Sequence, residues 1–170
     1  MKAKDNAQTL KHPFEPLYNK NSRILILGSF PSVKSREQSF FYGHPQNRFW
    51  RVMSLVCNCE VPQTIQQKKE FLYQNRIALW DSIKSCTICG SSDSSIKDVT
   101  ANDISRILNC ADIKKIFVNG KASEKYYKQL IVPQTKIEAE YLPSTSPANA
   151  AWSIERLADC WNNKISEFLR

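Results

Sequence analysis

Residues 24–53 read ILILGSFPSVKSREQSFFYGHPQNRFWRVM, and the order of residue types within them sets the architecture. Ile24 to Leu27 is a short, unbroken apolar run of the kind that parallel sheets bury on both faces. It stops at Gly28 in a loop containing Ser29 and Pro31, which brings backbone amides to the end of a strand, where open α/β sheets place their ligands. The loop passes two aromatics, Phe41 and Tyr42, and a histidine. Beyond His44-Pro45-Gln46-Asn47, the residues Phe49, Trp50, Val52, Met53 and Val56 recur at helical spacing.

Outward from this strand-loop-helix unit, strands and helices alternate. The first dozen residues read as a mobile lead-in, and Pro13 and Pro16 favour an extended approach to the first strand. A second helical segment runs near Gln66 to Gln74, and Ile77-Ala78-Leu79-Trp80 is a strand ending at Asp81. A Ser/Cys/Gly-rich loop covers Ser82 to Lys97. Asn102 can cap a helix carrying Ile104, Ile107 and Leu108; Lys115 to Val118 is a third strand, stopped at Asn119-Gly120. Lys121 to Leu130 is the next helix, Thr135 to Leu142 a fourth strand. A terminal helix presents Ile154, Leu157, Ala158, Trp161, Ile165 and Phe168 on one face. This alternation predicts one three-layer α/β/α domain over residues 1–170, residues 1–12 being the flexible lead-in, around a central four-stranded, mainly parallel sheet.

Composition narrows the function. Hydrophobic residues make up 42% of the 170, which favours a packed globule over a disordered chain. The formal charge of +8 suits an anionic partner, although a basic surface that only confers solubility accounts for it equally. No apolar run approaches the ~20 residues of a membrane span, and the polar N-terminus has no signal-like core, so an intracellular protein is expected. Its six cysteines are then reduced thiols. Cys57-x-Cys59 and Cys86-x-x-Cys89 lack zinc-ribbon spacing, and His12 and His44 are the only histidines, so no metal is expected.

Two segments carry a more specific signal. Gly28-Ser29-Phe30-Pro31 is followed by Tyr42-Gly43-His44-Pro45-Gln46-Asn47-Arg48-Phe49-Trp50, and Leu142-Pro143-Ser144-Thr145-Ser146-Pro147 precedes the last helix. In this order and spacing they resemble the motifs of the uracil-DNA glycosylase superfamily, most closely its mismatch-specific and hypoxanthine-excising branches. The resemblance covers nearly the whole chain. It implies an enzyme that flips a damaged nucleotide out of the duplex and hydrolyses its glycosidic bond.

The resemblance also implies where the work is done. Tyr42 falls where the family stacks the flipped base, and Asp81 where it reads that base's Watson–Crick edge. A carboxylate accepts only, which suits the ring N–H of hypoxanthine or uracil. Helix- or turn-capping is an equal alternative for Asp81, and core packing a lesser one for Tyr42. Phe30 departs from the uracil-excising relatives, which commonly carry Asp or Asn there to orient water, and a phenylalanine cannot do so. Asn47 is the expected replacement: a neutral amide able to position water or hydrogen-bond the departing base, and also able to cap the helix after it.

Gly28 and Ser29 complete the base-binding set with Phe30, Tyr42 and Asp81, by offering backbone amides. His44 is expected to brace its loop; Asn119, with Gly120 and Lys121 at another strand end, can line the site as a second supporting residue, although a plain left-handed turn explains these three equally well. Ser144, Thr145 and Ser146 are candidates for phosphate contact, and Asn149 for the gap left by the flipped nucleotide, although the start of the last helix explains Asn149 nearly as well. Leu142 replaces the histidine or asparagine that the family carries at the head of that loop. Arg36, Arg48 and Arg51 are either phosphate contacts or solvated charges.

The expectation is thus a monofunctional DNA glycosylase for hypoxanthine, and secondarily uracil, that works on double-stranded DNA as a cytoplasmic monomer (nucleoid-associated in a prokaryote) without a cofactor. A damaged-DNA binder without catalysis is the alternative. A nucleoside-processing hydrolase or transferase is a third reading, weakened by the lack of a phosphate-binding Gly-rich loop or paired carboxylates.

Overall fold

A computed structural model describes residues 7–89 and 95–169. The chain opens with strand β1 (Gln8–Lys11), followed by β2 (Ile24–Gly28), α1 (Val33–Gln38), α2 (Phe49–Cys57) and α3 (Ile65–Gln74). Next come β3 (Ile77–Asp81), β4 (Ile83–Ile88), β5 (Lys97–Ala101), the single turn α4 (Ser105–Leu108) and β6 (Lys115–Asn119). A helix then runs as α5 (Lys121–Tyr126), a π-helical turn (Tyr127–Ile131) and α6 (Val132–Thr135), before β7 (Glu140–Leu142) and α7 (Ile154–Ile165).

The larger sheet has four strands in the order β3-β2-β6-β7, all parallel. Every residue of β2 and β3 is buried, which is why both read as continuous apolar runs without alternation. Helix α3 packs on β3 and α5 on β2 and β6, while α2 packs against α7. The result is a helix-sheet-helix sandwich.

Topology decides where a ligand can enter. From β2 the chain moves to β3 on one side, and later to β6 on the other, so the loops leaving β2 and β6 diverge. That is the switch point at which open parallel sheets open a crevice at their carboxyl ends. Register sharpens it: Gly28 lies opposite Asp81, Leu27 opposite Val118, and Asn119 opposite Leu142. Four chemically distinct strand ends therefore finish level with one another.

Three segments differ from the sequence reading. Gln8–Lys11, inside the expected lead-in, is a strand that pairs antiparallel with β4; residues 1–6 lie outside the described residues. The expected loop from Ser82 to Lys97 contains β4, which also pairs with β5 to form a three-stranded antiparallel sheet; residues 90–94 lie outside the description. This small sheet has its own core of Ile83, Cys86, Ile88 and Tyr126. The fourth strand of the large sheet is only Glu140–Leu142, because helix continues through Thr135 and turns at Lys136, which has a positive φ of 58°.

Asn102 does not cap the following helix. Its amide donates to the carbonyls of Asp81 (2.8 Å) and Ile83 (3.1 Å), and Asp103 supplies the bond to the Ser105 N–H instead. Asn102 thereby ties the end of β3 to the start of β4. Among the described residues no helix is long and apolar enough to cross a membrane.

Candidate active site

A pocket of about 370 Å³ opens at the switch point, within the range that small ligands occupy. Its floor is the end of β2 with Gly28, Ser29 and Phe30; Asp81 and Asn119 come from the flanking strands, Tyr42, His44 and Asn47 from the loop before α2, and Ser144 to Ala148 from the loop after β7. The structure thus gathers eleven of the twelve candidate residues around one cavity. The exception is Asn149, whose Nδ2 donates to the Ser144 carbonyl (3.0 Å), so that it braces the loop from behind.

The floor is set by hydrogen bonds of the strand ends. The carbonyls of Gly28 and Ser29 accept from the N–H groups of Ser82 (2.8 Å) and Ile83 (3.1 Å), which fixes the loop leaving β2. A Cβ on Gly28 would stand 2.4 Å from Asp81 Oδ1 and 3.6 Å from the Tyr42 hydroxyl. Glycine is required here because the carboxylate occupies the space of a side chain. Phe30 lines the pocket and also packs against the core of the small sheet, which makes it a wall.

Tyr42 forms the opposite face. It takes a left-handed conformation, φ 53°, which is costly for a bulky residue and turns its ring into the cavity. Phe49 stacks on one side of the ring at 4.0 Å and 16°, leaving the other side and the edge to the pocket. The hydroxyl accepts from Asn119 Nδ2 (3.3 Å). Burial, reinforced by the nearby Asp81 charge, holds this phenol well above its ordinary pKa, so it stays a neutral donor.

Asn47 Oδ1 accepts from the Phe49 N–H (2.9 Å), a turn bond across Arg48, which holds the N-cap position of α2 that the sequence reading gave to Asn47. That bond identifies which end of the amide is oxygen. The other end, Nδ2, has no partner among the described residues, and Asn47 lines the pocket, so a hydrogen-bond donor is available there from a residue held just ahead of α2. His44 Nδ1 accepts from the Gln46 N–H (3.1 Å) and braces the same turn.

The loop after β7 is held through its backbone. Arg48 donates to the carbonyls of Ser146 (3.0 Å), Asn149 (3.0 Å) and Trp152, and its own N–H donates to the Thr145 carbonyl (3.0 Å). Neither alternative for this arginine, phosphate contact or solvated charge, describes it: the fork is turned inward. Asn119 adds a bridge from Thr145 to Tyr42, donating to the Thr145 hydroxyl (3.1 Å) and accepting from the Thr145 N–H (3.2 Å). Gly120, at φ 94°, lets Ser144 approach to where a Cβ would meet it at 3.0 Å. Thr145 is fully buried, whereas Pro147 and Ala148 are exposed at the rim.

Lys121, directly after the Asn119-Gly120 turn that the sequence offers as a lining of the site, is exposed at the start of α5 and lines the rim. One contributor was missed from the sequence. His12 lies behind the floor, with Nε2 at 2.7 Å from Asp81 Oδ2. Its distance of 69 residues from Asp81 left no local signal. Among the described residues no group of three or more His, Cys, Asp and Glu side chains is placed to hold a metal, and burial, with Cys59 nearby, pushes the Cys57 thiol up to about 12.

A family model for the uracil DNA glycosylase superfamily matches residues 15–168, nearly the full length. The chain belongs to that superfamily. Membership places it among the DNA glycosylases, hydrolases of N-glycosyl bonds that act on DNA. Similar proteins include a hypoxanthine DNA glycosylase from Methanosarcina barkeri (strain Fusaro / DSM 804), 36% identical over 82% of this chain and 88% of the relative. Another, of the same name, from Methanosarcina acetivorans is 34% identical over 86% of this chain and 93% of the relative. The solution NMR structure of a candidate uracil DNA glycosylase from Methanosarcina acetivorans superposes with a TM-score of 0.75 at 30% identity, covering 92% of this chain and 98% of that one.

Proposed function

We propose that this superfamily member is a monofunctional DNA glycosylase that removes a flipped deaminated base, hypoxanthine ahead of uracil, and leaves an abasic site. The observation that carries the reading is the pairing, across one pocket, of an acceptor at Asp81 with a fixed donor at Asn47 beside the exposed face of Tyr42. Two relatives named for hypoxanthine support the preference.

In this mechanism the base leaves the duplex and lies against Tyr42, with Asp81 Oδ1 accepting its ring N–H. As the C1′–N bond breaks, the electron pair moves onto the base. Asn47 Nδ2 donates to that growing negative charge, a contact stronger in the transition state than in the bound substrate. Water then adds at C1′, and the proton it gives up passes to the departing base anion, so that the free base leaves neutral. The neutral amide cannot act as a strong base, so Asn47 assists departure of the base and positions water rather than deprotonating it. Ser144 and Ser146 offer hydroxyls to phosphates, and the exposed Pro147-Ala148 tip meets the gap in the stack. The protein acts as a monomer of one domain, in the cytoplasm, on double-stranded DNA.

Single-turnover release from duplexes carrying deoxyinosine, deoxyuridine or neither, with abasic sites revealed by alkali, tests this. Release is expected fastest from deoxyinosine, and Asn47→Ala should slow it by about 100-fold with duplex binding retained. Damage-specific binding with no release from either duplex would replace this reading by that of a binder without catalysis.

A further inference from the structure

We infer that His12 is a positioning residue which commits Asp81 to reading a ring N–H, and so lets the pocket separate a deaminated base from the amine it came from. The inference rests on the proposed function and adds a specificity determinant from a segment that none of the motifs contains.

The argument is a count of protons. His12 Nδ1 lies 2.8 Å from the Phe14 carbonyl, which can only accept, so Nδ1 carries a hydrogen. Nε2 lies 2.7 Å from Asp81 Oδ2, and one proton lies between them. If the imidazole holds it, Asp81 is a carboxylate and both its oxygens accept. If the carboxyl holds it, it sits on Oδ2 and points at His12. In both cases Oδ1 is left as an acceptor, and it is Oδ1 that lies over Gly28 on the pocket floor. Among the described residues Oδ1 has no other partner.

The pair is built to stay in this arrangement. The two side chains are 3% and 7% exposed, too little for water to compete for Oδ2. The imidazole is edged by Phe14 (4.6 Å, 67°) and Phe30 (6.0 Å, 86°) and lies 6.4 Å from Phe41, so it cannot swing away without emptying an aromatic cage. Asn102 holds the Asp81 carbonyl from the other side. Without His12, the carboxyl could rotate or carry its proton on Oδ1, and would then offer a donor.

Deamination changes the feature that Oδ1 can sense. Adenine N1 and cytosine N3 are bare lone pairs, which an acceptor repels; hypoxanthine N1 and uracil N3 carry hydrogens, which it binds. Guanine also presents N1–H, so the contact sorts deaminated bases from adenine and cytosine alone. Phe30 thus acquires a purpose in place of water activation, as part of the cage that holds the reader's partner.

The test is binding of the full chain to duplexes carrying deoxyinosine, or deoxynebularine, whose unsubstituted purine presents N1 as a lone pair without added bulk, opposite the same base. Wild type should prefer deoxyinosine by about ten-fold or more. His12→Asn keeps a donor for the Phe14 carbonyl but falls short of Asp81, and should bring the ratio close to one. His12→Gln, whose amide can reach Oδ2, should restore most of it. A ratio unchanged in His12→Asn, or lost equally in both variants, would overturn the inference, since a purely structural role would not distinguish the two. Base release from the deoxyinosine duplex, measured in parallel, keeps the two proposals apart. A preference that depends on His12 in this way, without release, sinks the glycosylase reading and upholds the role of His12; release without such a preference does the reverse.

Discussion

The two walls of the pocket are held in opposite ways. On the floor, Gly28, Asp81 and His12 are fixed through side chains: a carboxylate fills the space over a glycine and is gripped by an imidazole. The loop from Ser144 to Asn149 is fixed through its backbone, by Arg48 on its carbonyls and by Asn119 on Thr145, while its Pro147-Ala148 tip is left free. A wall that must recognise one small heterocycle needs an atom at a defined point. One that meets a duplex needs a defined path with its outer face available. Under the proposed function, base recognition falls to the strand ends and DNA contact to the loop.

Gly28→Ala attacks the first wall directly and should have the largest effect. The new methyl would stand 2.4 Å from Asp81 Oδ1, so the carboxylate must leave its place over the floor or give up His12. Single-turnover release from deoxyinosine should fall by about 100-fold or more, while circular dichroism keeps its native form. A variant that works at the wild-type rate would show that Oδ1 is not where the base is read.

Arg48→Met attacks the second wall. It removes charge-assisted bonds to three carbonyls, each worth about 1.5–3 kcal/mol when the donor is charged, and water entering the loop recovers part of that. A net loss of about 2–3 kcal/mol in urea unfolding is expected, with duplex binding weakened about ten-fold and release at saturating enzyme within a few-fold of wild type. Arg48→Lys should recover little, because a point charge does not reproduce the fork. Loss of the chemical rate with binding intact would place Arg48 with the floor instead.

Asn119 links the walls, since it bonds both Tyr42 and Thr145. Asn119→Ala should therefore reduce binding and release together, by about five- to ten-fold each, with about 1 kcal/mol lost in stability. An effect on only one of them would show that the walls are independent.

The contrast between the walls also explains what the sequence disclosed. β2, β3 and β6 were legible because burial on both faces leaves an uninterrupted apolar run. β4 and β5, reading IKSCTI and KDVTA, carry too little continuous apolar signal, and β1 finds its partner nearly eighty residues away, at Ser85 to Ile88, which no local pattern encodes. The site divides in the same manner. Gly28, Tyr42 and Asn47 lie in one contiguous segment, and Asp81 ends a legible strand. His12 depends on a tertiary contact, and the inward turn of Arg48 depends on where a loop 100 residues later comes to rest.

Lys121 makes the smallest and most specific prediction. It stands on the rim between the walls, exposed, with no ion pair among the described residues, in a chain of net charge +8. A lysine that contacts a phosphate releases one condensed counterion, so Lys121→Gln should make the plot of log affinity against log salt shallower by about 0.9. Affinity should fall at low salt by only a few-fold, equally for damaged and undamaged duplexes, because a phosphate carries no record of the base. Release at saturating enzyme should not change. A drop in that rate would mean that the ammonium reaches the sugar or the departing base, and the rim would then belong to the chemistry of the floor rather than to the grip of the loop.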